Sequence, residues 1–452
     1  MVASTLLLAL MTACSGQSGG VGLPSGPSVT STSVTSAPED GDWPTYHRDP
    51  ARTGVAAAVP PVGKLARAWT AALDGAVYGQ PLVIGDTVVA ATEGDTVYAL
   101  DRATGKVRWQ RHLGTPVPLS ELPCGNIDPL GITGTPVYDP GSRRVFVVAE
   151  TTGFRHVLFG LGMADGRVEV QRDLPAPDGN PRNDQQRAAL LLTRGRIYVA
   201  FGGLLGDCGQ YVGAVVGVPV SGQGDLVSYK VPTSRMGAIW GTGGPTLGAE
   251  GTIYVSVGNG QATSGDFDGS DSVTALTPDL QRTAVFAPRT WAADNADDLD
   301  LGSMSPALIG TDRLLAVGKR GTAYLLRRPE LGGVGGQITQ ADACPAYGGP
   351  AVDGTTAYLP CSGGLAAVSV AHDQINVLWR GPKGAQGSPV LGGGAVWAVD
   401  WDAGTLYALD RLSGQVRQQI DTGTLPHFAS PTLSGTLVLL GTMHGVIAIT
   451  GA

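Results

Sequence analysis

The chain has 452 residues, a net charge of −8 and 42% hydrophobic residues, with 68 glycines and 31 prolines. Only five of its 30 basic residues are lysines and no basic stripe occurs, which argues against a nucleic-acid partner. So much glycine beside Val, Leu and Ala points to many short strands joined by tight turns, not to helices.

At the N-terminus, Leu6, Leu7, Leu8, Ala9 and Leu10 form an apolar run too brief to span a bilayer as a mature helix. Met11-Thr12-Ala13-Cys14 follows and resembles a bacterial lipobox, although no Lys or Arg precedes the run. Residues 1–13 therefore read as a lipoprotein signal peptide and Cys14 as the lipidated first residue. Residues 14–41 are rich in Ser, Gly, Thr and Pro, the composition of a flexible tether. The expected address is the extracytoplasmic face of the cell membrane. Four cysteines remain: Cys124, Cys208, Cys344 and Cys361. An even number in an exported protein suggests two disulfides, with three possible pairings. Cys344 and Cys361 are near in sequence, which favours that pair and leaves Cys124 with Cys208. No CxxC occurs and the six histidines are scattered, so a zinc site has little support.

From residue 42 onward the chain repeats itself. Pro81–Trp109 and Pro389–Arg417 are nearly the same sentence, and a period of about forty residues indicates a repeat architecture. Each unit opens on a Pro before an apolar pair, turns, and runs through an apolar strand such as Val88–Ala91. An alternating strand such as Thr96–Leu100 follows, and then an Asp-to-Gly turn (Asp101 to Gly105). A last strand can end in Trp, as at Trp109. Pro81, Pro136, Pro245, Pro306, Pro350, Pro389 and Pro431 mark seven inner strands. The wide interval after Pro136 holds one degenerate unit: Ala188–Leu192, Arg196–Phe201 and Tyr211–Val218. The last unit ends after three strands, so Lys64–Leu73, with Trp69 placed as Trp109 is, supplies the fourth. The expectation is an all-β fold. Residues 42–452 form a closed eight-bladed β-propeller of four-stranded antiparallel blades.

The pattern AxDxxTGxxxW resembles the pyrroloquinoline quinone (PQQ) repeat. Asp42-Trp43-Pro44-Thr45-Tyr46-His47-Arg48-Asp49-Pro50-Ala51-Arg52-Thr53-Gly54 is similar to the opening of PQQ-binding-like propeller proteins. The resemblance covers nearly the whole chain beyond the tether. That family includes calcium- and PQQ-dependent alcohol dehydrogenases. It also includes non-enzymatic BamB-like lipoproteins that help assemble outer-membrane barrels, so the fold alone does not choose a function.

The resemblance implies a candidate site. Asn259, in Val257-Gly258-Asn259-Gly260, matches an Asn calcium ligand, and Asp300 matches the catalytic-base Asp. Lys319, in Gly318-Lys319-Arg320-Gly321, matches the basic residue that contacts the quinone. Two features depart from the family. No adjacent cysteines occur, and Gly202–Tyr211 carries neither the Glu calcium ligand nor its nearby Arg, with Asp207 as a substitute. Read without the resemblance, Asn259 and Asp300 form turns and Lys319 is a solvated strand end. Asp266, Asp268 and Asp271 surround Gly269 at a spacing that could hold calcium or form an ordinary acidic loop, without the distal Glu of an EF-hand. Asp294, Asp297, Asp298 and Asp300 make a second acidic run. Trp240, Trp291, Trp397 and Trp401 lie outside the closing position; packing between blades is the commoner fate of such residues, and Trp401, after Asp400 near a strand end, is the candidate to face the ring's mouth. A GxSxG match at Gly16–Gly20 lies in the tether, with neither the strand nor the helix it requires.

These readings favour a monomeric, lipid-anchored scaffold that binds an envelope protein, a cell-wall component or a ligand, with no favoured cofactor. The alternative is a dehydrogenase of alcohols or sugars that uses PQQ and calcium, with Asp300 as base and Lys319 on the quinone.

Overall fold

The computed structural model describes residues 41–177 and 179–451. The expected signal peptide, Cys14, the GxSxG match and the tether as far as residue 40 lie outside the described residues. The described residues form eight β-sheets, each with a core of four antiparallel strands. The first blade runs through Leu82–Ile84, Thr87–Ala91, Thr96–Asp101 and Val107–His112. The next six begin at Val137, Leu191, Thr246, Ala307, Ala351 and Val390. The eighth has Thr432–Ser434, Leu437–Thr442 and Gly445–Thr450, and Ala66–Ala72 completes it by pairing antiparallel with Gly445–Thr450. The ring is thus closed by its N-terminal strand, which leaves no open edge between first and last blades.

Seven inner strands begin on the residue after the expected proline. The third blade departs from expectation. Its inner strand is Leu191–Thr193, and its other strands are Arg196–Gly203, Ala214–Pro219 and Val227–Lys230. Ala188–Leu190 is buried but unpaired within the sheet, because Ala189 and Leu190 donate to the carbonyls of Thr242 and Thr135 instead.

Blades pack on both faces, so their middle strands are apolar throughout and alternate in direction. In Thr87–Ala91, Val88 and Ala90 face the eighth blade's core, while Val89 and Ala91 face the second's. The closing tryptophans lock the outer ends. Trp69 lies over Gly105 of the next blade, Trp109 over Gly166 and Trp379 over Gly414. A Cβ on any of these glycines would meet the ring at 2.4 Å. Each indole N–H donates into the same turn, to the carbonyls of Arg102 (3.0 Å), Met163 (3.0 Å) and Arg411 (3.1 Å). These glycines also hold φ near +70°, a region that disfavours any Cβ. The second blade has no tryptophan there, and Val170 fills the space over Gly222.

The segment from Trp43 to Gly54 lies against the channel-facing edges of the inner strands. Trp43 exchanges backbone hydrogen bonds with Val83, and Pro44, Pro50, Thr53 and Gly54 accept from Tyr138, Leu247, Val352 and Leu391. The His47 ring bonds to Pro350 O and Ser430 Oγ, each at 3.1 Å. Arg52 donates to Leu190 O (2.9 Å), Pro245 O (3.3 Å) and Tyr46 O (3.1 Å). These contacts reach seven of the eight blades, every one but the fifth. Burial lowers the pKa of His47 to about 3 and that of Arg52 to about 10, so the imidazole is neutral and the guanidinium charged at neutral pH.

A second buried polar layer joins the first two blades. Burial, reinforced by neighbouring carboxylates, raises Glu93 to about 7 and Asp95 to about 9. Glu93 Oε2 accepts from Gly131 N at 2.7 Å, but neither oxygen of Asp95 has a partner. Glu150 is raised by burial and meets His156 Nε2 at 3.1 Å. Burial opposes charge on His156, but Glu150 outweighs it and raises the pKa.

Two outcomes follow from this packing. Arg52→Met should destabilise the protein by about 3–5 kcal/mol, because three buried carbonyls lose their donor. The exposed Arg67→Met should change stability by less than about 0.5 kcal/mol, and equal effects in urea titrations would refute the hub role of Arg52. Stability should also fall as pH rises from about 6.5 to 9. Over that range the native state keeps a proton on Asp95, and up to about pH 7 one on Glu93 as well, that the unfolded chain has lost. Each such proton costs up to about 1.4 kcal/mol per pH unit. Below 6.5 the depressed His47 acts in the opposite sense. Melting curves of Glu93→Gln/Asp95→Asn should be flatter across that window than those of wild type.

Candidate functional site

Three consecutive blades end their second strands at one end of the channel. Arg196–Gly203 leads into Leu204–Asp207, Ile253–Val257 into Asn259, and Arg313–Val317 into Lys319. These residues, with Asp300 from the loop between the fourth and fifth blades, line a cavity of about 350 Å³. The sequence-predicted Asn259, Asp300 and Lys319 therefore converge, and Asp207 joins them.

Asp300 is buried and organises the group. Its Oδ1 accepts from Asn259 N at 2.7 Å, and its Oδ2 lies 2.6 Å from Lys319 Nζ. Lys319 Nζ also lies 2.6 Å from Asp298 Oδ1, to which Asn259 Nδ2 donates at 2.7 Å. The close approach needs glycine: a Cβ on Gly258 would stand 2.2 Å from Asp300 Oδ1, and one on Gly318 would stand 2.2 Å from Asp300 O. Burial raises the pKa of Asp300, with Lys319 opposing. Burial works against the Lys319 charge, but Asp300 and Asp298 overcome it and hold the pKa above the ordinary lysine value.

The rest of the cavity is aromatic. Trp240, Tyr347, His427 and Phe428 line it. Phe428 stands 6.1 Å from Trp240, 6.5 Å from Tyr347 and 5.4 Å from Trp401, centroid to centroid. Its φ of 64° is a conformation that non-glycine residues seldom adopt. The Arg187 guanidinium lies over the Phe428 ring at 5.5 Å; buried Glu93 is the carboxylate that acts on its charge, and among the described residues none stands in salt-bridge contact with it. The Cys124–Cys208 disulfide stands beside the wall made by Leu204, Leu205, Gly206, Asp207 and Asn126, and Leu122, Ile127 and Leu204 pack behind it. The second disulfide joins Cys344 and Cys361. Both pairs match the expected connectivity.

Other candidates separate. Asp266 is exposed, Asp268 accepts from Thr233 Oγ1 and Ser270, and Asp271 turns inward to Leu301 N at 2.8 Å. Their side chains diverge, so the grouping of Asp266, Asp268 and Asp271 does not form. Among the described residues no cluster of three or more His, Cys, Asp or Glu is gathered to hold a metal. Asp294 bonds to Arg320 beside the helix Trp291–Ala296, while Asp297 is exposed. Trp397 is core, bonded to Gly392 O, and Trp291 packs on Phe267. Trp240 and Arg187 were not singled out as pocket residues by the sequence. Trp240 carries no repeat signal, and Arg187 lies in the degenerate third interval.

Residues 55–206 match the family model described as outer membrane protein assembly factor BamB. The fold is that of the PQQ-like repeat propellers. Quinohemoprotein alcohol dehydrogenase from Comamonas testosteroni is similar over 92% of this chain and 81% of its own, at 16% identity and a TM-score of 0.67. A europium-containing methanol dehydrogenase is similar over 92% of this chain and 98% of its own, at 15% identity and a TM-score of 0.69. BamB from Moraxella catarrhalis is similar over 86% and 97% respectively, at 15% identity and a TM-score of 0.58. At these identities the likeness is one of fold. No curated protein matches the sequence significantly.

The PQQ-like fold raises the question of calcium. Asn259 Oδ1 is buried with no hydrogen-bond partner, which suits an oxygen donor. The other groups do not suit the ion. Both Asp300 oxygens are engaged, Asp207 Oδ1 accepts from the Tyr211 hydroxyl, and Leu204 and Leu205 line the third blade's side. Calcium takes six to eight oxygens. This donor set does not fit it.

Proposed function

We propose that this PQQ-like propeller is a ligand-binding scaffold whose mouth pocket holds a planar, anionic small molecule. The observation that carries the reading is Arg187, a guanidinium with no carboxylate in direct contact among the described residues, over the Phe428 ring in a cavity with several aromatic side chains. A flat carboxylate-bearing molecule would stack against Trp240, Tyr347 and Phe428 and give Arg187 its counter-charge. Export and lipid anchoring at the extracytoplasmic membrane face belong to the same proposal. They are supported by the apolar run before Cys14 and by the two disulfides. The match to an assembly-factor family supports a further role in presenting the propeller to an envelope protein or wall component.

The rival reading is a quinoprotein dehydrogenase, favoured by the placing of Asp300 in the same cavity. A bound quinone would accept the electrons, and Asp300 would take the substrate's hydroxyl proton. The poor fit of the donors to calcium and the Lys319 ion pair weigh against it.

Titrating the purified protein with PQQ and other planar carboxylates, and reading tryptophan fluorescence, tests the first reading. Saturable quenching is expected, at least ~10-fold weaker in Arg187→Met and absent with neutral analogues of the same shape. Equal binding of neutral analogues, or no binding at all, would sink it. Dye reduction with PQQ, calcium and a panel of alcohols and sugars tests the rival. Turnover lost in Asp300→Asn would promote the dehydrogenase.

A further inference from the structure

We propose that Lys319 is the resident cation of this pocket. Its ammonium stands where a metal would stand, and removing it converts Asn259, Asp298 and Asp300 into a site for a hard metal ion. The inference holds whether or not the pocket takes a planar anion.

The argument is geometric. Nζ lies 2.6 Å from Asp298 Oδ1 and 2.6 Å from Asp300 Oδ2. Calcium sits about 2.3–2.6 Å from its oxygen ligands, so the nitrogen stands at the outer end of that range from two carboxylate oxygens. A third oxygen belongs to the same cluster. Asn259 Nδ2 donates to the Asp298 oxygen that Lys319 holds, while Asn259 Oδ1 is buried without any partner. Turning that amide over would point Oδ1 toward the two carboxylates. The backbone of the cluster needs no rebuilding, because the Asn259 and Lys319 backbones are both tied to Asp300, at 2.7 Å and 2.8 Å.

The ammonium also gives the native group a reason to disfavour a metal. A lysine is a compact point charge with three donors, and here it neutralises one of two carboxylates. A divalent or trivalent ion would have to displace it or stand beside it against like charge. Asp300, compensated by an internal cation, needs no metal for its burial.

The test uses terbium, whose emission is sensitised by tryptophan, and Trp240 lines this pocket. The wild-type protein should give no saturable emission that depends on Asp300. Lys319→Ala should gain saturable emission, displaced by calcium, with an affinity at least ~10-fold above wild type. Adding Asp300→Asn to that variant should abolish the gain, which separates this site from the exposed acidic loop at Asp266 and Asp268. Circular dichroism and melting temperature check the fold. If Lys319→Ala is unfolded, Lys319→Gln keeps the side chain's length and offers an oxygen, and the same gain is expected. Wild-type emission lost on Asp300→Asn would overturn the proposal. So would a folded Lys319 variant that gains nothing.

Discussion

The ring depends on one short segment that is not part of any blade. Trp43 to Gly54 places its carbonyls and its Arg52 and His47 side chains against the inner strands of seven blades. An inner strand has a free edge toward the channel, and buried backbone groups there must find partners. Eight such edges meet on the axis, where water is scarce. The segment pairs with them by irregular backbone, which a regular strand could not do for partners fanned around a circle. Gln80 extends the device: its Oε1 accepts from Trp43 Nε1 and His47 N, while its Nε2 donates to Pro431 O and Ser430 Oγ. The first and last blades are thus fastened through the hub as well as through the strand Ala66–Ala72.

With the axis and the circumference both locked, the loops at the mouth carry little of the fold. The Trp–Gly contacts fix each blade to the next at the outer edge, and the apolar faces fill the gaps between. The connections that line the pocket are free to differ in length and chemistry. They do so on one side, where the third, fourth and fifth blades supply Leu204 to Asp207, Asn259 and Lys319. The aromatic side comes largely from Tyr347, His427 and Phe428, in the connections before the sixth and eighth blades. The asymmetry turns an eightfold scaffold into a pocket with a charged wall and an apolar wall.

Much of this was legible in the sequence because it is local. A proline before an apolar pair, an Asp-to-Gly turn and a closing Trp each act within one unit, so seven inner strands were placed to the residue. The third blade was harder. It lacks the leading proline, and Ala188–Leu190 looks like a strand because it is buried, although its hydrogen bonds go elsewhere. The hub was visible as a motif but not as a hub, since the blade partners of the His47 ring and of Arg52 lie between 138 and 383 residues away. Asn259, Asp300 and Lys319 were readable through resemblance. Arg187 and Trp240 were not, because no pattern marks a residue that faces an axis. At Asp266, Asp268 and Asp271 nearness in sequence is not nearness of side chains, because the loop turns one outward and another inward.

The pocket's chemistry follows from a balance of charge inside that frame. Asp300 must be buried for the fourth and fifth blades to close on it, as the tight approach of Gly258 and Gly318 requires. A buried carboxylate needs compensation. Backbone donors alone supply one hydrogen bond, from Asn259, so the remaining oxygen calls for a cation. A metal and a lysine are the two ways to provide one. A metal asks for several more oxygens, and because the facing blade brings Leu204 and Leu205 to the cavity, water would have to supply them. A lysine asks for a strand end of the right reach, which Lys319 has, and a second carboxylate to share, which Asp298 provides. With Lys319 held by Asp298 and Asp300, Arg187 is the cation that, among the described residues, the pocket can offer a ligand. Its position over Phe428 favours a ligand that is flat and carries negative charge at one end.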